Sequence, residues 1–457
     1  SLRKYSKRVI EIKMSEPKFC SLLWSHISNE PLGHVRTCCI AKERVKDNDG
    51  KDFTLGSTSV RDIFHSDFYK KIRQEIREGK LPENCEPCWR EESNGKKSKR
   101  QIYNEYNEWR LDPIDYSVEP DMPQDMQIIL STTCNLKCRS CNPNYSSKWV
   151  KEADARGLPY FKEVVPIPMD DQERSKFWTE IDDWLPHIRN LEIMGGEPLY
   201  MKEFKVFANK LIDQNIAPKV GLNFSTNGTM AGGEFLQKII DNFKSVSFNV
   251  SIDAAEKKRF DYLRHGADWN EVAENLDLIH KMVEEGKIFA GITNTVTALN
   301  VMYLAEFHKV FAERWPRFGV FHNIANLPSW YNPNVFPNEM KEAIVKPLRE
   351  GLKNNVFKTQ EIVTEINGII KHTTAPREDV IRPYGNEPTD TIENEIAVRW
   401  NMFRKQVVAG DEYRKEDFRD VFPELWDIVK DDFFYSKLFE RAKADPMYGA
   451  IEKGTFI

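Results

Sequence analysis

From residue 126 onward the chain alternates two hydrophobic patterns. Short extended runs predict strands at Met126–Leu130, Leu191–Met194, Val220–Ser225, Val246–Ile252, Phe289–Thr295 and Val320–Ile324. Between them apolar residues recur at helical spacing, most clearly over Lys202–Asp213, Gly233–Phe243, Trp269–Glu285 and Val301–Glu313. Six strand–helix units predict an α/β fold with a parallel sheet. Right-handed, near-neighbour crossovers would curl that sheet into a partial TIM-like (β/α)6 barrel, with its active face at the carboxyl ends of the strands.

The flanks read differently. Upstream, Ser21–His26 and His34–Thr37 predict a hairpin across Asn29–Gly33, and Asp62–Glu78 predicts a helix ending near Gly79. Glu91–Arg100 is charged and reads as solvated, and a Pro-rich stretch from Pro113 to Pro123 reads as a boundary. Downstream of about residue 335 the strand signal stops. Helices are predicted at Met340–Lys353, Thr359–Lys371, Glu393–Gln406 and Asp431–Ala444, packed by Trp400, Phe403, Trp426, Phe433 and Phe434. The expected division is 1–118, a small cysteine-rich domain; 119–335, the barrel; and 336–457, a helical extension.

Composition changes this picture little. The 457 residues are 40% hydrophobic and 30% charged with net charge −5, ordinary for a globular protein and without the basic excess that draws nucleic acid or anionic membrane. No apolar run is long enough for a spanning helix, and the first residues lack the apolar core of a signal peptide. Arg3, Lys4, Lys7 and Arg8 read as a solvated tail. A cytoplasmic protein without a membrane or nucleic-acid partner is expected.

The eight cysteines do change it. They form two groups, Cys20/Cys38/Cys39/Cys85/Cys88 and Cys134/Cys138/Cys141, with none after residue 141. Disulfides that staple a whole fold would be spread more evenly, so metal binding is the better reading. Cys134-Asn-Leu-Lys-Cys138-Arg-Ser-Cys141 places three thiols on one loop directly after the first predicted barrel strand. The spacing fits neither a zinc ribbon nor a finger, which use two separated pairs. Three thiolates on a short irregular loop suit three irons of a four-iron cluster, leaving one iron open.

This loop resembles the CX3CX2C signature of the radical S-adenosylmethionine (SAM) superfamily. Further matches follow in order. Gly195-Gly196-Glu197-Pro198 looks like the GGEP motif that binds the methionine amino group of SAM. Phe224-Ser225-Thr226-Asn227-Gly228 and Ser251-Ile-Asp253 put small polar groups where relatives contact the ribose and carboxylate of SAM. Arg264 resembles the arginine that related enzymes aim at the SAM carboxylate, a good match for a forked donor. One position departs: relatives often carry an aromatic before the third cysteine, and here it is Ser140, so adenine packing comes from elsewhere.

Cys20-x3-Trp24, Gly33-x4-Cys38 and Cys85-x2-Cys88 resemble the auxiliary-cluster module called a twitch domain, related to the SPASM domain. The resemblance implies a second [4Fe–4S] cluster on Cys20, Cys38, Cys85 and Cys88. Cys38 is preferred over Cys39 because it keeps the Gly-x4-Cys spacing, and a structural zinc site on the same cysteines is the rival. In relatives the module follows the barrel; here it precedes it.

The family's chemistry is reductive cleavage of SAM to a 5′-deoxyadenosyl radical that abstracts a substrate hydrogen. The resemblance therefore implies an oxidoreductase with an open-iron [4Fe–4S] cluster, SAM and an external one-electron donor such as flavodoxin or ferredoxin. A peptide or protein side chain is the first expected substrate, and a nucleotide or sugar the alternative. From another class, a non-catalytic metal-binding scaffold or nucleic-acid adaptor would also fit the cysteines. No catalytic side chain is singled out. Asp253, His322, Asn323 and Tyr331 are placed to face a cavity, though a structural role is the plainer reading of each. Cys39 is the one spare thiol, a candidate hydrogen donor or an inert cysteine.

Overall fold

The computed structural model describes residues 18–93, 97–162, 166–169, 175–375 and 392–433, with only the backbone for 392–398. The basic tail at Arg3–Arg8, Phe434, and the expected helix Asp431–Ala444 beyond Phe433 lie outside the described residues.

The described strands are β1 (His26–Asn29), β2 (Val35–Arg36), β3 (Asp125–Ile129), β4 (Asn190–Met194), β5 (Gly221–Thr226), β6 (Ser245–Ser251), β7 (Phe289–Val296) and β8 (Gly319–Ile324). The longer helices are α1 (Val60–Phe64), α2 (Asp67–Arg77), α3 (Glu86–Ser93), α4 (Lys99–Arg110), α5 (Val150–Arg156), α6 (Lys202–Asp213), α7 (Glu234–Asn242), α8 (Lys257–Leu263), α9 (Trp269–Glu284), α10 (Leu304–Arg314), α11 (Asn338–Lys353), α12 (Gln360–Thr374), α13 (Ile392–Arg414) and α14 (Pro423–Phe433). Among the described residues the strands form one sheet in the order β2-β1-β3-β4-β5-β6-β7-β8. The six expected strands thus stand side by side in chain order, as the strands of a (β/α) barrel do. The chain divides into two compact units, Ser1–Thr133 with Glu163–Ser225 and Gly233–Phe248, and Cys134–Lys162 with Thr226–Gly232 and Asn249–Ile457.

In the first unit the hairpin is present, turned by Gly33 at φ +80°. Ser21–Ser25, expected to be extended, is instead a helical turn over Leu22–Ser25. Its fully buried Trp24 packs with Phe19, Tyr116 and, from α2, Ile72 and Ile76. The expected helix Asp62–Glu78 is two helices, because Ser66 breaks in and caps α2 by accepting from Tyr69 N. Of the run Glu91–Arg100, expected to be solvated, Ser98 and Arg100 are buried. Ser98 caps α4 in a reciprocal box with Gln101, and buried Arg100 pairs with Glu92 at 2.6 Å. The Pro-rich stretch has no regular element but packs, with Tyr116 in the core and Glu119 pairing the buried Arg73 at 2.7 Å.

β1 joins the sheet beside β3, parallel, from His26↔Asp125 to Ser28↔Gln127. The pairing is locked by the buried contact of His26 Nδ1 with Asp125 Oδ2 at 2.8 Å. At the end of β1 Asn29 continues the ladder with its side chain, accepting from Ile129 N and donating to Ile129 O. β3–β4 and β4–β5 are parallel.

In the second unit β7 and β8 pair in parallel, from Gly291↔Gly319 to Val296↔Ile324. The downstream helices gather an aromatic core. Trp400 stacks on Phe403, Phe418 stacks on Phe433, and Trp426 meets Phe433 edge-on. Pro347 lies inside α11 without ending it.

Candidate active site

The loop Cys134–Cys141 follows β3 and is held in place almost residue by residue within the second unit. Cys134 and Cys138 are buried, and Cys141 is half-buried. Ser147 Oγ accepts from Cys134 N at 3.2 Å, and Leu136 N points at Cys134 Sγ at 3.4 Å. Leu136 O accepts from Ser146 Oγ, and Cys138 O accepts from Trp149 Nε1 at 2.9 Å. On the other side Lys137 N and Arg139 N donate to the carbonyls of His265 and Leu263. Gly266, at φ +102°, lets that brace approach: a Cβ there would lie 3.3 Å from Leu136 Cδ2. Burial pushes the thiol of Cys141 up to about 12 and that of Cys138 upward, with Arg264 opposing at Cys138. Buried thiols of this kind are uncomfortable as bare thiolates and suit a positively charged metal centre.

Two of the residues expected to contact SAM, Asn227 and Arg264, reach this loop. Asn227 donates to Asn135 Oδ1 at 2.8 Å while accepting from Thr229, and Asn135 donates to Thr229 Oγ1 at 2.9 Å. Arg264 Nη1 lies 3.8 Å from Cys138 Sγ, and its Nε is 2.7 Å from Asp253 Oδ2. Asp253 also accepts from Thr295 N at 3.0 Å. Arg264 and Asp253, expected to meet SAM, are therefore already paired with each other. Thr226 is buried and accepts from Gly228 N; Ser251 is half-buried at the end of β6.

In the first unit Gly195, Gly196, Glu197 and Pro198 form the turn after β4. Gly195 has φ +79° and Gly196 φ +32°. A Cβ on Gly196 would stand 2.2 Å from Thr133 O, and Glu197 N donates to that same carbonyl at 2.9 Å. The turn is thus laid against the residue that precedes Cys134 in the chain. Glu197 is buried and takes a hydrogen bond from Leu199 N at 3.1 Å; Ser225, at the end of β5, is exposed.

The upstream cysteines also separate cleanly. Cys20, Cys38, Cys85 and Cys88 line one cleft of about 390 Å³, counting space open to solvent, with walls from Leu22, Leu23, Ile40 and Ala41. Burial, reinforced by the neighbouring thiols, pushes Cys20 up to about 12 and Cys38 up to about 11, and raises Cys85 as well. Cys39 points away: it is exposed and takes Lys99 Nζ at 3.1 Å. None of the eight thiols is in a disulfide. Among the described residues no three Cys, His, Asp or Glu side chains converge closely enough to hold a single metal ion. Four cysteines around one cleft, two buried and two half-buried, with Lys99 and Arg100 beside it, fit a cluster's donor set.

Of the four residues placed to face a cavity, His322 does something else. Its Nε2 lies 2.7 Å from Nε2 of His308 on α10, and its Nδ1 lies 3.2 Å from Asn294 Oδ1. Tyr331 is buried, and its carbonyl accepts from Ala298 N. Asn323 is exposed on β8. The sequence reading missed the residues that hold the loop: Asn135, Ser147, Trp149 and, from α13 and the turn after it, Asp411, Arg414 and Glu416. Asn135 lies inside the motif itself, but the others carry no local pattern that marks them.

The comparisons with known proteins fall on the two cysteine groups. Residues 128–307 match the radical SAM superfamily, and residues 20–89 match SPASM, an iron–sulfur cluster-binding domain. The GTP 3′,8-cyclase of Nautilia profundicola (strain ATCC BAA-1463 / DSM 18972 / AmH) is 23% identical over 185 residues, 40% of this chain and 52% of that protein. The GTP 3′,8-cyclase of Campylobacter curvus (strain 525.92) is 22% identical over 148 residues, 32% of this chain and 40% of that protein. The chain therefore spans about half the length, or less, of these curated relatives. Similar solved structures include anSMEcpe with bound AdoMet, 18% identical, covering 49% of this chain and 56% of that one with a TM-score of 0.31. Another is Streptococcus suis SuiB bound to precursor peptide SuiA, 12% identical, covering 63% and 60% with a TM-score of 0.31. Among the described residues no helix is long and apolar enough to cross a membrane. Residues 128–307 are thus a radical SAM domain and residues 20–89, ahead of it, a SPASM-type iron–sulfur domain, and these two domains imply SAM, a [4Fe–4S] cluster and an auxiliary iron–sulfur cluster as cofactors.

Proposed function

We propose that this protein is a radical SAM oxidoreductase or maturase acting on a peptide or protein side chain. Cys134, Cys138 and Cys141 hold the cluster that binds SAM, and Cys20, Cys38, Cys85 and Cys88 hold the auxiliary [4Fe–4S] cluster. The observation that carries this reading is the four-thiol cleft. A cluster with four protein thiolates keeps no iron open to a substrate atom, so its natural use is to accept an electron. That favours oxidation of a side chain over a nucleotide or sugar held on the cluster.

When bound, the cluster and SAM supply the radical that takes hydrogen from the substrate; the protein's own part is to place and shield that event. Asn227 and Arg264 hold the cysteine loop, and Asp253 fixes Arg264. Gly195 and Gly196 leave backbone room against the Thr133 carbonyl, and Glu197 and Pro198 complete that turn, which the family resemblance assigns to the amino end of SAM. Ser225, Thr226 and Ser251 offer hydroxyls at the strand ends. A flavodoxin or ferredoxin supplies the electron, in a cytoplasmic setting.

A nucleotide substrate is the second reading, favoured by the name of the curated relatives, GTP 3′,8-cyclase. The test uses anaerobically reconstituted protein. Iron should reach about eight per chain, two four-iron clusters. It should fall by about half in Cys38→Ala and hold in Cys39→Ala. With dithionite and SAM, a peptide product lighter by two hydrogens supports the proposal. Conversion of GTP with no change in any peptide sinks it in favour of the second reading, and one zinc per chain overturns the auxiliary assignment.

A further inference from the structure

Arg139 stands between the second and third cysteines, where a basic residue reads as solvated. Its side chain is only 2% exposed. It forms an ion pair with Asp411 at 2.6 Å, 272 residues downstream, and a second with Glu416. Its guanidinium lies 3.9 Å from the centre of the Tyr262 ring, and the Tyr262 hydroxyl donates to the same Asp411 at 2.8 Å. Glu416 also takes His265 Nδ1, and the His265 carbonyl accepts from Lys137 N. Glu416 therefore grips the loop and its brace together. Its position is set by the turn that ends α13, where Lys415 is left-handed at φ +59° and Glu416 N returns to Asp411 O at 3.0 Å.

The fit is close at the helix itself. A methyl on Gly410 would stand 2.4 Å from Arg139 Nη1. That nitrogen is the end of a long side chain, but its freedom is spent on two carboxylates and a ring. One turn on, Arg414 lies over Trp149 at 4.7 Å, and Trp149 Nε1 holds the Cys138 carbonyl.

We infer that residues 410–416 are positioning residues for the cysteine loop, holding Arg139 and so the separation of Cys138 and Cys141. The helical extension is on this account part of the SAM-cluster site. A buried guanidinium cannot shift without leaving its carboxylates unpaired, so the loop is set before any cluster arrives. The inference rests on the reading of Cys134, Cys138 and Cys141 as cluster ligands.

The test compares full-length reconstituted protein with Gly410→Ala, Arg139→Lys and Arg139→Met, with Cys138→Ala as reference. Gly410→Ala is the decisive variant, since alanine favours helix and changes no charge. Its unfolding temperature should fall less than that of Arg139→Met, because alanine's helix propensity offsets part of the cost of displacing the guanidinium. Yet a chelator should strip the SAM-cluster iron about 10-fold faster or more, as for other lost outer-shell partners, and the SAM-induced change in the paramagnetic resonance of that cluster should be altered. Arg139→Lys keeps the charge without the fork and should fall between the parent and Arg139→Met. Auxiliary iron should be unchanged in all three. Parental chelation rate and resonance in Gly410→Ala overturn the inference, whether or not Arg139→Met folds. If Cys138→Ala keeps all its iron, it is the ligand reading that has failed instead.

Discussion

Glu152 on α5 is the buried hub of a second network behind the cysteine loop. It meets Arg414 Nε at 2.9 Å, Arg156 Nη1 at 2.8 Å and Lys137 Nζ at 3.0 Å. Burial opposes its charge, but Arg414 and the two other cations hold its carboxyl below the usual carboxylate range. The side chains of Glu152 and Arg414 are both 0% exposed, whereas Lys137 keeps 20% and Arg156 10%. Glu152→Gln keeps the shape and removes the charge. Lys137 and Arg156 can turn toward water, so the cost falls mainly on Arg414. Removing one partner of a buried pair costs about 3–5 kcal/mol, and the lower end applies here. At about 2–4 °C per kcal/mol for a unit of this size, the unfolding temperature should fall by about 6–12 °C. Glu152→Gln combined with Arg414→Met should recover most of that, because replacing a buried pair by apolar groups is close to neutral. Scanning calorimetry on the reconstituted protein reads both. A single variant within about 1 °C of the parent, or a double variant as unstable as the two singles added, refutes the reasoning.

Two other perturbations test separate parts of the structure. Burial holds His308 down to about 4 and His322 down to about 3, so below the ordinary value of about 6.5 the unfolded chain binds protons that the folded one does not. Stability should therefore fall as pH drops from about 6.5 toward 5, by up to about 1.4 kcal/mol per pH unit for each imidazole. Urea midpoints measure the slope, and His308→Leu with His322→Leu should flatten it; an unchanged slope contradicts the assignment. Gly196→Ala should drive a methyl into Thr133 O and cost about 1–3 kcal/mol of backbone strain. Its SAM affinity, read by equilibrium dialysis, should drop with it, and parental affinity would show that the turn does not serve the ligand.

The six barrel strands were legible because each is a short apolar-rich or alternating run between turn residues. β3 is buried along its whole length, and Met126, Ile128 and Ile129 carry its signal despite the buried polar Asp125 and Gln127. The GGEP turn and the three-cysteine loop were legible because glycine and thiol chemistry is local. α4 was passed over because its charges hid it, although Ser98-x-x-Gln101 is a readable cap. The place of β1 was not readable, since its parallel pairing with β3 rests on His26 meeting Asp125 99 residues away. Nor was the role of α13, since Arg139 looks like any surface arginine until Asp411 and Glu416 are brought to it. Long-range ion pairs leave no periodicity in the residues that make them.

The central claim is that Cys134–Cys141 holds a cluster that cleaves SAM. Its most direct test is 5′-deoxyadenosine release from anaerobically reconstituted protein with dithionite and SAM. The parent protein should release it, and Cys138→Ala should release none while keeping its auxiliary iron. Parent protein fully loaded with iron and sulfide that yields no 5′-deoxyadenosine would contradict the account.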